Sequence, residues 1–183
     1  NKKNIFIYNH LAAVESNQLA NGHSFSIDSH FVSAKILMSK YNDSGQRIVR
    51  ASRKNEYWRS EYYSRLSNIV VHTPESDKLE ETPSEKKRRK ESFFIDAQEA
   101  FNENRPLAIA PEGTSETPDN VTNKSPGPFK PGAFLLANSL DPRPMIIPIA
   151  LANFDFPISK TVYSAVIKEG FYIDDFVDVN DSI

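Results

Sequence analysis

Short apolar runs rich in β-forming residues alternate along this chain with stretches of helical spacing, and that alternation limits the fold more than any other feature. Ile5-Phe6-Ile7-Tyr8 is the first such run and reads as a buried strand closed by Asn9-His10. Residues 11–28 are small and polar, with Asn21-Gly22 as a turn signal. From Asp28 the residues Phe31, Val32, Ala34, Ile36 and Leu37 fall at helical spacing, with Asp28 or Ser29 as N-cap and Asp43-Ser44-Gly45 as the stop. Further strands are expected at 47–51, 68–72, 107–110, 145–151, 161–167 and 170–173, and helices at 56–66, 93–102 and 134–140. Strand–helix alternation predicts one α/β domain over 1–183, with a mixed, largely parallel sheet flanked by helices. Residues 74–91, nearly all charged, polar or proline, read as a polar insertion.

At 183 residues the chain is long enough to bury a real core. Its net charge of −2 gives no global drive toward nucleic acid. The absence of cysteine excludes disulfides, thiolate metal sites and a cysteine nucleophile. No HExxH or comparable spacing suggests a metal centre. No apolar stretch reaches the roughly 18 to 20 residues of a spanning helix. A chain opening on Asn1 rather than Met is expected to be a piece of a longer one, with room for a membrane anchor outside it.

Open α/β sheets place their sites in loops at the carboxyl ends of strands. Three loops stand out here. The first holds two His–carboxylate pairs at equal spacing, His10 with Glu15 and His23 with Asp28. The second is Ala110-Pro111-Glu112-Gly113-Thr114, and the third runs from Gly127 through Phe129-Lys130-Pro131-Gly132-Ala133-Phe134. Glu112 taken alone is an ordinary loop carboxylate, and Lys130 an ordinary solvated lysine.

A His-x4-Asp box, a Pro-Glu-Gly-Thr box, a Phe-Lys-x-Gly-Ala-Phe segment and an apolar strand with an internal proline (Pro148) follow one another from Ile5 to about Leu151. In order and rough spacing this resembles the glycerol-phosphate and lysophosphatidic-acid acyltransferase superfamily. The resemblance implies an acyltransferase-like α/β fold that moves a fatty-acyl group from acyl-CoA or acyl-carrier protein onto a hydroxyl of a glycerolipid-like acceptor. No cofactor is implied. The histidine would be the general base, and the carboxylate would fix its tautomer. His10 directly follows a convincing strand, which favours His10 with Glu15. His23 and Asp28 match the residue types and form the alternative pair. Glu112, Gly113, Thr114, Lys130 and Gly132 would line the substrate site.

Two departures bear on the acceptor. Ser115 stands where the family usually has an arginine after Glu-Gly-Thr, and the third strand ends Val70-Val71-His72-Thr73 without the usual arginine. Arg50, Arg53, Lys54 and Arg65 are candidates to grip a phosphate instead, or else a basic solvated face. A catalytically silent relative that binds lipid or a partner protein is the rival reading, and a serine hydrolase is disfavoured because Gly-x-Ser-x-Gly is absent. His72 and His30 read as a strand-end and a helix-surface histidine. Tyr57, Trp58, Tyr62 and Tyr63 read as packing, or as the rim of an acyl groove. The expected setting is cytoplasmic, with peripheral contact at the inner face of a membrane. The basic run Lys86–Lys90 is a candidate for that contact, but Glu80, Glu81 and Glu85 dilute it and a solvated helix start is the favoured reading.

Overall fold

The opening apolar run becomes β1 (Asn4–Tyr8), an inner strand of a six-stranded sheet. Its companions in this computed structural model are β2 (Gln46–Arg50), β3 (Ile69–Val71), β4 (Leu107–Ile109), β5 (Met145–Ala152) and β6 (Ser164–Ile167). The structure describes residues 3–11, 26–52, 57–72, 82–113 and 126–176, with only the backbone of Tyr57, Trp58 and Lys160. The sheet order is β3-β2-β4-β1-β5-β6, parallel throughout except for β6 against β5. The fold is therefore a single α/β domain with a mixed, largely parallel sheet.

Alternation along β1 sorts the core. Ile5 and Ile7 point to one face, with Leu107 and Ile146. There they pack against Ala97, Ala100 and Phe101 of α4 (Pro83–Asn102) and against Ala133, Leu136 and Ala137 of α5 (Gly132–Ser139). Phe6 and Tyr8 point to the other face, with Ala108 and Ile149. Opposite them lies one continuous helical run: α1 (Ile27–Phe31), a π-helical stretch (Val32–Leu37) and α2 (Met38–Tyr41), which buries Val32, Ile36 and Leu37. Full burial of side chains such as Phe6 and Phe101 contributes about 1.5–3 kcal/mol each. α3 (Tyr57–Arg65) lies beside α1, because His30 Nδ1–H donates to the Ser26 carbonyl at 2.5 Å while its Nε2 accepts from the Tyr62 hydroxyl. His30 is thus a packing histidine, half-buried rather than a surface one.

Several elements differ from the expectation drawn from sequence. The helix after β1 begins at Ile27 with Ser26 as N-cap, so Asp28 lies inside its first turn. Residues 170–173 form no strand; Phe171 makes one isolated bridge to Ile146 and a 3₁₀ turn follows at Ile173–Asp175. The second half of the polar 74–91 segment is helix. α4 starts at Pro83, behind a capping box in which Thr82 Oγ1 accepts from the Glu85 N–H at 3.3 Å and Glu85 Oε2 accepts from the Thr82 N–H at 2.7 Å.

Candidate functional site

Register brings the first two loops together. Ile7 on β1 is level with Ile109 on β4, so the residues three further along each strand, His10 and Glu112, are also level. Glu112 Oε1 accepts the His10 backbone N–H at 3.3 Å, although the two residues lie 102 positions apart. On the other flank, Tyr8 is level with Ile149 of β5, which sets Asn9 beside Leu151. The Asn9 side chain donates from Nδ2 to the Leu151 carbonyl at 2.9 Å and accepts the Leu151 N–H on Oδ1 at 2.7 Å. This two-point amide bridge fixes the end of β1 immediately before His10.

His10 has the same parity as Phe6 and Tyr8, so its ring falls on the face covered by α1. There its Nδ1 lies 2.6 Å from Asp28 Oδ2. Spacing paired each histidine with the carboxylate five residues on. The geometry instead joins the first histidine to the second carboxylate, with seventeen residues between them. A carboxylate offers only acceptors, so Nδ1 carries the proton and donates, and Nε2 keeps its lone pair.

Asp28 is 1% exposed, and burial of its charge is offset by donors. Oδ2 also accepts the Leu11 N–H at 2.9 Å. Oδ1 accepts the Ser29 N–H at 2.6 Å and the Ser29 hydroxyl at 3.2 Å. The Tyr8 hydroxyl in turn donates to Ser29 Oγ at 3.2 Å. Burial, then the Asp28 charge, pushes the Tyr8 pKa up to about 12, so Tyr8 remains a neutral donor. For His10, burial lowers the pKa. The hydrogen bond and charge of Asp28 and the charge of Glu112 outweigh that, and the net value lies above 6.5.

The second and third loops are also tied. The Lys130 N–H donates to the Pro111 carbonyl at 2.8 Å. Gly113 has φ of +74°, a backbone conformation that calls for glycine; a Cβ there would meet only the flexible Lys130 side chain, whose Nζ stands 3.0 Å away. Gly132 has no such constraint, since a Cβ would meet nothing within 4 Å. Glu112 is 4% exposed, and its carboxylate faces the His10 backbone. Lys130 is exposed.

Beside this arrangement lies a cleft of about 480 Å³, lined by Tyr8, Asn9, Leu11, Phe129, Leu151 and Phe156 among others. Arg65 is not near it. α3 returns the chain from the carboxyl end of β2 to the amino end of β3, so Arg65 at its last turn sits at the opposite end of the sheet, bonded to Glu61 at 2.6 Å. Arg50 ends β2 on the site's side and donates to the Ala51 carbonyl at 2.8 Å. Glu15, His23, Arg53, Lys54, Thr73, Thr114 and Ser115 lie outside the described residues. Asn9, Tyr8 and Ser29 were not singled out from the sequence as site residues. Only the Asn-His dipeptide signalled one of them.

A search of curated proteins finds no match to this chain. The protein-family model described as Acyltransferase matches residues 20–152. The matched span takes in His23, Asp28, the Glu112 and Gly113 turn, Lys130 and Gly132, and begins after His10. A match over most of the chain agrees with the α/β sheet and the buried His–Asp pair at its carboxyl end: the chain belongs to the Acyltransferase family.

Proposed function

We propose that the chain transfers a fatty-acyl group from a thioester, acyl-CoA or acyl-carrier protein, to a hydroxyl of a glycerolipid-like acceptor, with His10 as general base. The observation that carries this reading is the His10–Asp28 hydrogen bond, which leaves Nε2 free of its proton, while the residues on either side of His10 in the chain, Asn9 and Leu11, line an apolar cleft. Nε2 takes the proton of the acceptor hydroxyl as that oxygen attacks the thioester carbonyl. The tetrahedral intermediate collapses, the carbon–sulfur bond breaks, and the departing thiolate takes the proton back from the imidazolium. Asp28 holds the tautomer and stabilises the imidazolium. Asn9 and Glu112 fix the backbone that leads into His10. The apolar lining of the cleft suits an acyl chain.

This reading fixes a pH dependence. The base works only when neutral, and its pKa lies above 6.5. As pH falls through that raised value the ring protonates and kcat/KM declines. The acidic limb is therefore expected above the ordinary histidine value of 6.5. Glu112→Gln removes one of the charges that raise the pKa, so the limb should move to lower pH. A limb that stays in place in Glu112→Gln argues against electrostatic contact between the two groups.

The experiment that tests the function is thioester consumption, read as free thiol, across an acceptor panel. Ser115 and Thr73 stand at family arginine positions, and a neutral hydroxyl is a poor substitute for a guanidinium facing a dianion. Hydrogen bonds to charged groups contribute about 1.5–3 kcal/mol each. Two uncompensated losses weaken phosphate binding on the order of a hundredfold or more. Glycerol 3-phosphate and lysophosphatidate are accordingly expected to be poor acceptors beside an uncharged monoacylglycerol. Efficient turnover of lysophosphatidate that survives Arg50→Ala and Arg53→Ala sinks that expectation. Collapse with either substitution reveals a relocated phosphate site. No thiol release with any acceptor favours the catalytically silent relative.

A further inference from the structure

α4 is longer than the sheet it covers. Its twenty residues extend about 30 Å, whereas the three-residue strands β3 and β4 that flank it in sequence extend about 10 Å. Its buried residues, Ala97, Ala100 and Phe101, all lie in its last six positions, and Phe93 is the first of its side chains to pack against the core, so among the described residues the half from Pro83 to Ser92 overhangs. The overhang has a fixed direction. β3 and β4 are both parallel to β2, so the helix linking them runs back from their carboxyl ends to their amino ends. The free half of α4 therefore projects at the carboxyl end of the sheet, the end that carries His10 and Glu112.

That half is basic, and exposed apolar residues follow it. Lys86, Lys87, Arg88, Arg89 and Lys90 stand against Glu85 and Glu91, on a chain whose net charge is −2. Glu85 is engaged in the capping box, and Glu91 lies 3.8 Å from Lys87. Lys86, Lys90 and Phe94 recur at the helical i, i+4, i+8 spacing and line a shallow groove with Pro83, Lys87 and Glu91. Phe94 is 40% and Ile95 56% exposed. A soluble phosphate would satisfy the cations and leave Phe94 and Ile95 in water. A bilayer with anionic headgroups offers both a negative surface and an apolar boundary.

We propose that the overhanging half of α4 docks on an anionic lipid surface, through Lys86, Lys87 and Lys90 with the adjoining Phe94 and Ile95, and so turns the carboxyl end of the sheet toward the bilayer. The surface deepens the reading of a lipid-like acceptor, because a bilayer held at this end meets the entrance of the proposed site. Docking itself requires no turnover, so it is measured without thioester.

The test is flotation of the full chain with vesicles of phosphatidylcholine containing phosphatidylglycerol, and with phosphatidylcholine alone, at about 0.05 M and 0.5 M salt. Binding is expected to the anionic vesicles at low salt and to fall steeply at high salt. Each basic residue near such a surface contributes about fivefold, so Lys86→Gln/Lys87→Gln/Lys90→Gln should bind about two orders of magnitude more weakly. Glutamine keeps helix propensity, and an unchanged far-UV circular dichroism spectrum shows that the fold survives. Phe94→Ser/Ile95→Ser should weaken binding at both salt concentrations. Thiol release with a water-soluble acceptor should be the same in the triple variant as in the parent, whereas release with an acceptor embedded in anionic vesicles should fall. Absence of flotation at low salt, equal binding to neutral vesicles, or binding that survives the triple substitution overturns the proposal. Binding that behaves as expected in a protein releasing no thiol upholds the surface and removes the catalytic reading.

Discussion

His10→Ala should lower kcat by about two to four orders of magnitude, the usual scale for a general base, while His23→Ala leaves it within about threefold of the parent. The reason lies in the commitments of the ring atoms. Nδ1 is bound to Asp28 at 2.6 Å, and that bond selects the tautomer whose Nε2 can accept a proton. Loss of the ring should not unfold the protein. Asp28 retains the Leu11 N–H and both Ser29 donors, so no buried charge is left unpaired. The expected signature is therefore a collapse of kcat at nearly constant Tm and with substrate binding preserved. The competing reading has a specific basis: His23 stands at the family spacing from Asp28, and the family match begins after His10. If His23→Ala abolishes turnover and His10→Ala leaves it intact, the base is His23.

The fold was legible because its strands are short, apolar and rich in β-branched residues, as Ile5–Tyr8 and Met145–Leu151 show. The site was legible only in part. Its loops could be named, since Pro-Glu-Gly-Thr and Phe-Lys-Pro-Gly-Ala-Phe stand out from ordinary turns. The contact between His10 and Glu112 depends on β1 and β4 being neighbours in register, and no local pattern carries that pairing. The His10–Asp28 bond went unforeseen for a related reason. Spacing presumes that chain proximity brings the groups together, whereas here strand parity and the placement of α1 do so. Arg65 looked available because the sequence does not say which end of the sheet a helix end reaches. The start of α4 was read only loosely, as a solvated helix start in the basic run: Thr82-Pro83-Ser84-Glu85 is a capping box readable from sequence, hidden by a composition that suggested an insertion.

Asp28→Asn should be nearly as damaging to turnover as His10→Ala, and more damaging to the fold. The carboxylate accepts from His10 Nδ1 and the Leu11 N–H on one oxygen and from the Ser29 N–H and hydroxyl on the other. An amide has a single oxygen. Whichever way it turns, its NH₂ confronts two donors on one side. If the NH₂ faces His10, Nδ1 must accept, the proton moves to Nε2, and the base is lost. If it faces Ser29, the tautomer survives but the charge that steadies the imidazolium is gone, and buried donors are stranded at about 1–3 kcal/mol each. Removal of that charge also takes away the hydrogen-bonding and coulombic contributions that hold the His10 pKa above 6.5, so burial dominates and the pKa falls. The residual activity of Asp28→Asn should therefore show its acidic limb at lower pH than the parent, a shift that simple unfolding cannot produce. Three measurements separate the roles: denaturant midpoint for stability, the pH profile of kcat/KM for the charge, and ¹⁵N chemical shifts of the imidazole for the tautomer. An Asp28→Asn protein that keeps kcat within about threefold, with an unmoved limb and an Nδ1-protonated ring, would show that the buried carboxylate supports the loop and takes no part in the chemistry.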